Sequence, residues 1–185
     1  MKPGARAAGL AESFVGEWST LAAAVVRADR VVDGFAFGRC TVGGTDATAQ
    51  LGRLLDALDR EDLHAVLVAG IAPAWFNLVD LEALAERTSL PVISVSFEAS
   101  DGLEPALREA FEGTALEERL DAYRRQPPRE PVTVNGERVW VRAAGTAPDA
   151  AHDVVRAFTP EGGRPEPLRV ARLAARAADR FLADS

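Results

Sequence analysis

Cysteine and lysine are nearly absent from this chain of 185 residues, in which Cys40 is the only cysteine and Lys2 the only lysine. A single cysteine excludes a disulfide within the chain and a cysteine-based metal cluster, and favours a small core residue. No apolar run approaches the length of a membrane span, and no signal-peptide hydrophobic segment follows the first residues. These absences predict a cytoplasmic protein without a membrane partner.

Familiar catalytic signatures are missing as well. The chain has no P-loop, no Gly-x-Gly-x-x-Gly dinucleotide fingerprint and no Gly-x-Ser-x-Gly nucleophile elbow. Its two histidines, His64 and His152, stand far apart without the spacing of metal ligands. We therefore expect both histidines to be surface or capping residues.

The net charge of −7 comes from 28 acidic and 21 basic side chains. An acid-rich, lysine-poor composition resembles that of haloarchaeal proteins, although an acidic protein from a GC-rich genome would share it. Negative charge ordinarily argues against a nucleic-acid partner. Concentrated salt weakens that argument, because it screens phosphate attraction and reduces counterion release. Net charge therefore does not decide the class of partner.

Apolar runs separated by short turns predict three antiparallel strands at residues 6–13, 19–27 and 31–42. A helix follows residues 43–46 and continues to about residue 60, with leucines at helical spacing. The order of these elements is strand, strand, strand, helix.

The next stretch, from His64 to Asp80, is the centre of the predicted fold. Residues 65–69 form an unbroken apolar run typical of a strand buried on both faces. A helix from about residue 77 to 89 and a strand over 91–97 complete a βαβ unit, so the two strands are parallel. Ligands bind beyond the carboxyl ends of such strands, and we expect residues 69–77 to form one wall of a site.

The second half of the chain is more polar. Asn135-Gly136 predicts a type I′ turn in a hairpin over residues 132–141. The remaining predicted elements are helices at residues 103–111, 115–123, 149–158 and 168–182. The expected fold class is α/β, a ribonuclease H-like mixed sheet of three antiparallel strands and a parallel βαβ pair, flanked by helices, with an extra C-terminal hairpin. Residues 1–185 are expected to form one domain.

The candidates for chemistry are carboxylates at the ends of predicted elements, namely Glu12, Asp46, Asp80 and Glu166. Each has a structural alternative, because acids in a first helical turn favour the macrodipole and cap backbone N–H groups. In a ribonuclease H-like fold, the ends of the first and fourth strands converge on the start of the first helix. Acids placed there can hold Mg²⁺, which activates water.

Five segments resemble the archaeal endonuclease dU family, which is related to endonuclease V. The resemblance runs through nearly the whole chain, in order. The segments are residues 8–13 (Ala-Gly-Leu-Ala-Glu-Ser), 41–48 (Thr-Val-Gly-Gly-Thr-Asp-Ala-Thr), 70–80 (with Phe-Asn-Leu-Val-Asp), 91–95 (Pro-Val-Ile-Ser-Val) and 165–171 (Pro-Glu-Pro-Leu-Arg-Val-Ala).

The resemblance implies a ribonuclease H-like fold and Mg²⁺- or Mn²⁺-dependent cleavage of DNA that contains deoxyuridine, a deamination-repair function. It carries catalytic and metal-ligand roles to Glu12 and Asp46. The chain departs from the family's pattern at Ala11, Ala69 and Arg172, where two acids and a histidine are usual. Alternation adds that Glu12 points to the opposite side of the sheet from Ala11.

Two hypotheses follow. The first is a deoxyuridine-directed endonuclease in which Glu12 and Asp46 hold the metal. The second is a catalytically depleted module that binds nucleic acid or a partner without cleaving it. The predicted nucleic-acid-binding residues are Trp75, Phe76, Asn77, Asp80, Arg169 and Arg172, and Arg164 extends the same groove.

Overall fold

The computed structural model describes residues 1–14 and 16–183. Its strands are β1 (Arg6–Phe14), β2 (Trp18–Arg27), β3 (Val32–Thr41), β4 (Leu63–Ala69), β5 (Val92–Ser96), β6 (Glu130–Val134) and β7 (Glu137–Ala144). Its helices are α1 (Ala47–Leu58), α2 (Pro73–Phe76), α3 (Leu81–Thr88), α4 (Glu104–Ala110), α5 (Gly113–Arg124), α6 (Pro148–Ala157) and α7 (Glu166–Ala183).

The seven strands form one sheet in the order β3-β2-β1-β4-β5-β7-β6. β1, β2 and β3 are antiparallel neighbours, and β4 lies parallel to both β1 and β5. The predicted hairpin joins the same sheet through the antiparallel pairing of β7 with β5. The predicted α/β mixed sheet of ribonuclease H-like order is therefore confirmed.

Helices cover both faces of this sheet. α1 and α3 pack on one face, where their leucines meet Ala8 and Leu10 of β1. On the other face, α7 packs chiefly against β1 and β2, and α6 packs against β7 and β6. The unbroken hydrophobic runs at residues 21–26 of β2 and 65–68 of β4 are explained by burial on both faces of the sheet. We call the two sides the α1 face and the α7 face.

α7 lies unusually close to β1. A Cβ atom built on Gly9 would lie 2.2 Å from the backbone carbon of Pro167, so only glycine fits at this strand position. Ala171 and Ala175 continue the small buried stripe of the helix. This close approach fixes the helix above the ends of β1 and β4.

The hairpin turn has the conformation that the sequence predicts. Asn135 and Gly136 have φ angles of 49° and 83°, the left-handed pair of a type I′ turn. Across the described residues, no helix is both long and apolar enough to cross a membrane.

Candidate functional site

Glu12 and Asp46, the two predicted metal ligands, lie on the α1 face on either side of Cys40. The Ser19 hydroxyl donates a hydrogen bond of 2.6 Å to Glu12 Oε2, and Ser19 is the β2 partner of Cys40. The Thr41 N–H donates to Asp46 Oδ1 at 3.1 Å. The fold thus brings the two carboxylates to one region of the sheet.

The Cys40 thiol lies close enough to Asp46 and Glu12 for their charges to affect its pKa. Burial first, and then the charges of Asp46 and Glu12, raise its pKa to about 12, although a hydrogen bond with Ser19 acts to lower it. Cys40 is fully buried, which confirms it as a small core residue.

Ala11 and Ala69 lie on the opposite, α7 face. Ala11 packs against Val170 and Ala171 of α7, and Ala69 joins the same cluster. Leu10, next to Glu12 in the alternation, belongs instead to the core of the α1 face. The predicted opposition of Glu12 and Ala11 is therefore confirmed.

A divalent metal finds few ligands here. Among residues 1–14 and 16–183, no group of three or more His, Cys, Asp or Glu side chains is placed to hold a metal ion. Mg²⁺ requires near-octahedral oxygen coordination, commonly from carboxylates, substrate phosphates and water. Two carboxylates that already accept protein hydrogen bonds are a poor fit to that demand. The assignment of Glu12 and Asp46 as catalytic metal ligands stays a prediction.

Asp46 is held by a buried asparagine. Asn77 Nδ2 donates to Asp46 Oδ1 at 2.7 Å and to the Thr41 carbonyl at 2.8 Å, while Asn77 Oδ1 accepts the Ala47 N–H at 2.8 Å. Asn77 has no exposed surface. Its amide therefore joins the end of β3 to the start of α1, and no part of it faces a ligand in this conformation.

These contacts shift the titration of Asp46. Burial raises the pKa of this carboxyl, but hydrogen bonds from Asn77 and from the backbone and hydroxyl of Thr41 outweigh burial, and the pKa falls below 3.8. A lowered pKa in the folded state means that the ionised carboxylate stabilises the fold.

We expect this stabilisation to be complete well above the ordinary aspartate pKa and to be lost as the pH falls through the lower folded-state pKa. Asp46→Asn should therefore be less stable than wild type at neutral pH, and the difference should shrink near pH ~3. Urea unfolding at a series of pH values measures it. Asp101→Asn, which removes one exposed charge, is the control. A difference that is the same at every pH would contradict the prediction.

A left-handed turn presents Trp75. Ala74, Trp75 and Phe76 have φ angles of 47°, 56° and 61°, although none of them is glycine. Each such residue costs roughly 1–2 kcal/mol, so the surrounding contacts must hold the turn. The helix predicted from residue 77 consequently begins only at Leu81, and α2 is this turn.

Aromatic packing holds the turn in place. The Trp75 ring covers Gly43, where a Cβ atom would lie 2.8 Å from the ring, and its centre is 5.1 Å from that of Phe111. Phe76 meets Phe111 at 6.0 Å, and the Arg119 guanidinium lies 4.0 Å from the Phe111 ring centre. Trp75 remains 50% exposed and offers a fixed aromatic surface.

Of three other predicted residues, Asp80 and Arg169 have structural contacts and Arg172 is a free cation among the residues that the structure describes. Asp80 caps α3 by accepting the Ala83 N–H at 3.0 Å. Arg169 is paired with Glu166 at 2.6 Å within the first turn of α7. Arg172 is exposed and forms no ion pair within the described part of the chain. Of these, Arg172 is the free cation.

A cavity of about 330 Å³ opens at the carboxyl ends of β4 and β5, on the α1 face. The predicted wall contributes residues 69–73, and Glu12 lies at one side. Its remaining lining comes from Ser94, Ser96, Glu98, Ser100, Gly102, Leu103, Tyr123, Arg129, Trp140 and Arg142. The sequence analysis predicted the wall at this position. It did not predict the arginine and aromatic side chains that line the rest of the cavity.

Arg129 and Arg142 face this cavity. Arg129 donates to the carbonyls of Glu98 and Ser100 and lies 4.9 Å from the centre of the Trp140 ring. Arg142 donates to the Pro127 carbonyl and lies 5.5 Å from the Tyr123 ring centre. Neither guanidinium has a carboxylate partner in the described residues. Burial and then the charge of Arg142 lower the pKa of Arg129.

A second pair of arginines lies on the other side of the same strand end. The Arg164 guanidinium is 3.8 Å from the centre of the Phe97 ring, which follows β5. Burial and then the charge of Arg172 lower the pKa of Arg164, so the two cations are close. We call Arg129, Arg142, Arg164 and Arg172 the arginine band.

The family model described as endonuclease dU matches residues 3–179. The chain belongs to the endonuclease dU family. A UPF0215 protein of Pyrobaculum aerophilum is 37% identical over 177 residues, which cover 94% of this chain and 94% of that protein. Family membership supports a nuclease-like function.

Solved structures agree on the fold. A protein of unknown function from Archaeoglobus fulgidus has a TM-score of 0.83 and 26% identity, over 94% of this chain and 98% of that one. Endonuclease V of Ciona intestinalis, solved with an inosine-containing 24mer DNA, has a TM-score of 0.67 and 12% identity, over 96% and 87% of the chains. The likeness to endonuclease V shows the shared fold.

In this endonuclease dU family member, sequence reasoning missed the cations and aromatics of the cavity. Trp140 and Arg142 alternate on β7, and this spacing of two residues was the available signal that they share a face. Tyr123 and Arg129 come from α5 and the segment after it, and no sequence pattern indicates that they meet β7. Arg164 and Arg172 were identified from the sequence.

Proposed function

We propose that this member of the endonuclease dU family binds nucleic acid through the arginine band and does not hydrolyse it by a metal-dependent route. The main support for this proposal is the grouping of the four arginines in the arginine band. Its four guanidinium groups surround the end of β5, and three of them lie over aromatic rings. Within the described residues none of the four is neutralised by a carboxylate.

An arginine beside an aromatic ring can bind both the phosphate and the base of a nucleic acid. A guanidinium binds a phosphate through two parallel hydrogen bonds, and an adjacent ring provides a stacking surface for an unpaired base. Holding like charges together is unfavourable, and a bound phosphate would relieve that repulsion. The exposed ring of Trp75 extends the available stacking surface beyond the cavity wall at residues 69–73.

The α7 face favours an anion over a cation. Ala11 and Ala69 supply no negative charge there, whereas Arg164 and Arg172 supply two positive ones. Such surroundings repel Mg²⁺ and attract phosphate. The DNA bound to the endonuclease V of similar fold supports nucleic acid as the ligand class.

A second candidate function is metal-dependent cleavage of deoxyuridine-containing DNA, which the family match over residues 3–179 favours. In that case Glu12 and Asp46 would hold Mg²⁺ or Mn²⁺ together with substrate phosphate oxygens. The acid-rich, lysine-poor composition further suggests a haloarchaeal source and activity at high salt.

Binding is tested by fluorescence anisotropy with labelled single-stranded DNA of one sequence, with either thymidine or one deoxyuridine at its centre. We expect saturable binding. The logarithm of the association constant should fall linearly with the logarithm of the KCl concentration. Four phosphate contacts predict a slope of about −3. Absence of binding at low salt would refute the proposal, and a preference for the deoxyuridine strand would identify the base that the cavity accepts.

Cleavage is tested on uracil-containing DNA with Mg²⁺ or Mn²⁺, from low to high KCl concentration. We expect intact DNA, together with retained binding. Glu12→Gln and Asp46→Asn are the diagnostic variants, because each removes one carboxylate charge with little change in shape. Cleavage by the wild type that both variants abolish would replace the proposal with the second candidate.

A further inference from the structure

β3 is an open edge of the sheet. It runs for ten residues and pairs only with β2 among the described strands. An unpaired strand edge presents a row of N–H and C=O groups that can accept another strand. Its sequence, Val-Asp-Gly-Phe-Ala-Phe-Gly-Arg-Cys-Thr, contains no proline and no lysine.

The other edge of the sheet is protected differently. β6 has five residues and carries Pro131, which lacks an N–H group, next to Glu130. Short length, proline and charge are devices that block edge-to-edge pairing. β3 is longer and lacks proline; it carries two charged residues, Asp33 and Arg39, and an irregular register between Val25 and Val26 that affects only its first residues.

The α7 face of this edge is apolar and uncovered. Phe35 and Phe37 lie opposite Ala24 and Ala22 of β2, and Thr20, two residues before Ala22, bonds to Asp179 of α7. Alternation therefore places both phenylalanines on the α7 face. α7 packs chiefly over β1 and β2 and does not cover β3. Phe35 and Phe37 are therefore 49% and 54% exposed. Their rings stack at 6.3 Å.

Further apolar side chains border the two phenylalanines. Trp18 is 55% exposed and shares their face by alternation along β2. Leu173 is 55% exposed and follows one turn after Val170, which packs against Ala24. These four side chains expose on the order of 500 Å² together, a large share of the ~800 Å² per partner in a standard interface.

We infer that β3 is a homodimer interface, in which β3 of a second copy pairs antiparallel with it about a two-fold axis perpendicular to the sheet. This axis keeps the same face of both sheets on one side, so the phenylalanines of the two copies meet. The backbone edge selects a strand as partner, and a second copy supplies one with a matching apolar face. The dimer leaves Arg129, Arg142 and Arg164 of the arginine band free, since β2, β1 and β4 separate the end of β5 from β3.

The oligomeric state is measured by sedimentation velocity and light scattering over a wide range of protein concentration. We expect a species of twice the 19.7 kDa chain mass. Phe35→Asp combined with Phe37→Asp should convert it to a monomer with unchanged circular dichroism. Trp75→Ser removes an equally exposed aromatic ring that packs on Gly43 and Phe111 instead of lying beside Phe35 and Phe37, and it should leave the dimer intact.

Amide hydrogen exchange provides a measurement that needs no variant. Amides of β3 that point away from β2 should become more protected as the protein concentration rises. A wild type that stays monomeric, a dimer that survives the double substitution, or an open-ended assembly would each overturn the inference.

Discussion

Replacing Arg129 and Arg142 together by glutamine is expected to weaken nucleic-acid binding roughly 100-fold. Each arginine loss removes one charge-assisted phosphate contact, worth about 1.4 kcal/mol or tenfold. The logarithmic salt slope should become shallower by about 1.4, because two fewer counterions are released from a single strand. Anisotropy titrations at several KCl concentrations give both quantities.

The control is a double variant with the same change in net charge. Arg53→Gln with Arg87→Gln alters α1 and α3, remote from the cavity, and should leave affinity and slope nearly unchanged. Thermal unfolding of both variants separates lost contacts from lost folding, since Arg129 also bonds to the carbonyls of Glu98 and Ser100. Equal losses in the two variants would mean that the band has no specific role.

Gly9→Ala is expected to destabilise the protein by about 3 kcal/mol. The added Cβ would lie 2.2 Å from the carbon and oxygen of the Pro167 backbone, which cannot rotate away as a flexible side chain can. α7 would have to move off β1 and would lose part of its buried contact. The expected fall in melting temperature is about 6 to 12 °C for a chain of this size.

Gly34→Ala is the matched control for that substitution. Gly34 lies in a strand of the same sheet, and a Cβ there would approach nothing more closely than a methyl of Val25 at 4.0 Å. The control should be neutral or slightly stabilising, because alanine restricts the unfolded chain. If both variants unfold at the wild-type temperature, the close approach of α7 and β1 is not as described.

The sheet could be predicted because its strands and turns are specified by residues close together in the sequence. The apolar runs of β1, β2 and β4 survive in the structure within two residues, and Asn135-Gly136 forms the turn that its two residues favour. Short connections dictated the antiparallel meander, and the intervening helix dictated the parallel pair. The order of strands then followed from a known fold.

The segment between β4 and α3 could not be predicted in the same way. Pro73 through Asn77 has ordinary helix-compatible residues, but packing against Gly43 and Phe111 holds three of them left-handed. The same packing buries Asn77, which the sequence analysis predicted to bind nucleic acid. Tertiary contacts decided both outcomes, and neither contact is visible at short range in the sequence.

The sequence predicted where the cavity lies but not the two arginines, Arg129 and Arg142, that face it. Of the wall predicted at residues 69–77, residues 69–73 line the cavity, and alternation correctly separated Glu12 from Ala11. The cavity's cations depend on where α5 and β7 meet. Arg129 and Arg142 come from separate segments, so no spacing in the sequence associates them with the same wall.

The solitary buried Cys40 makes this chain suitable for site-specific labelling. With its pKa raised to about 12 and no exposed surface, its thiol stays protonated and out of reach of maleimide reagents at neutral pH. Any cysteine introduced on the surface is then the only reactive thiol, and no native residue has to be removed first. Fluorophores or spin labels placed beside β3 and beside the arginine band would thus report on pairing and on ligand binding within otherwise native protein.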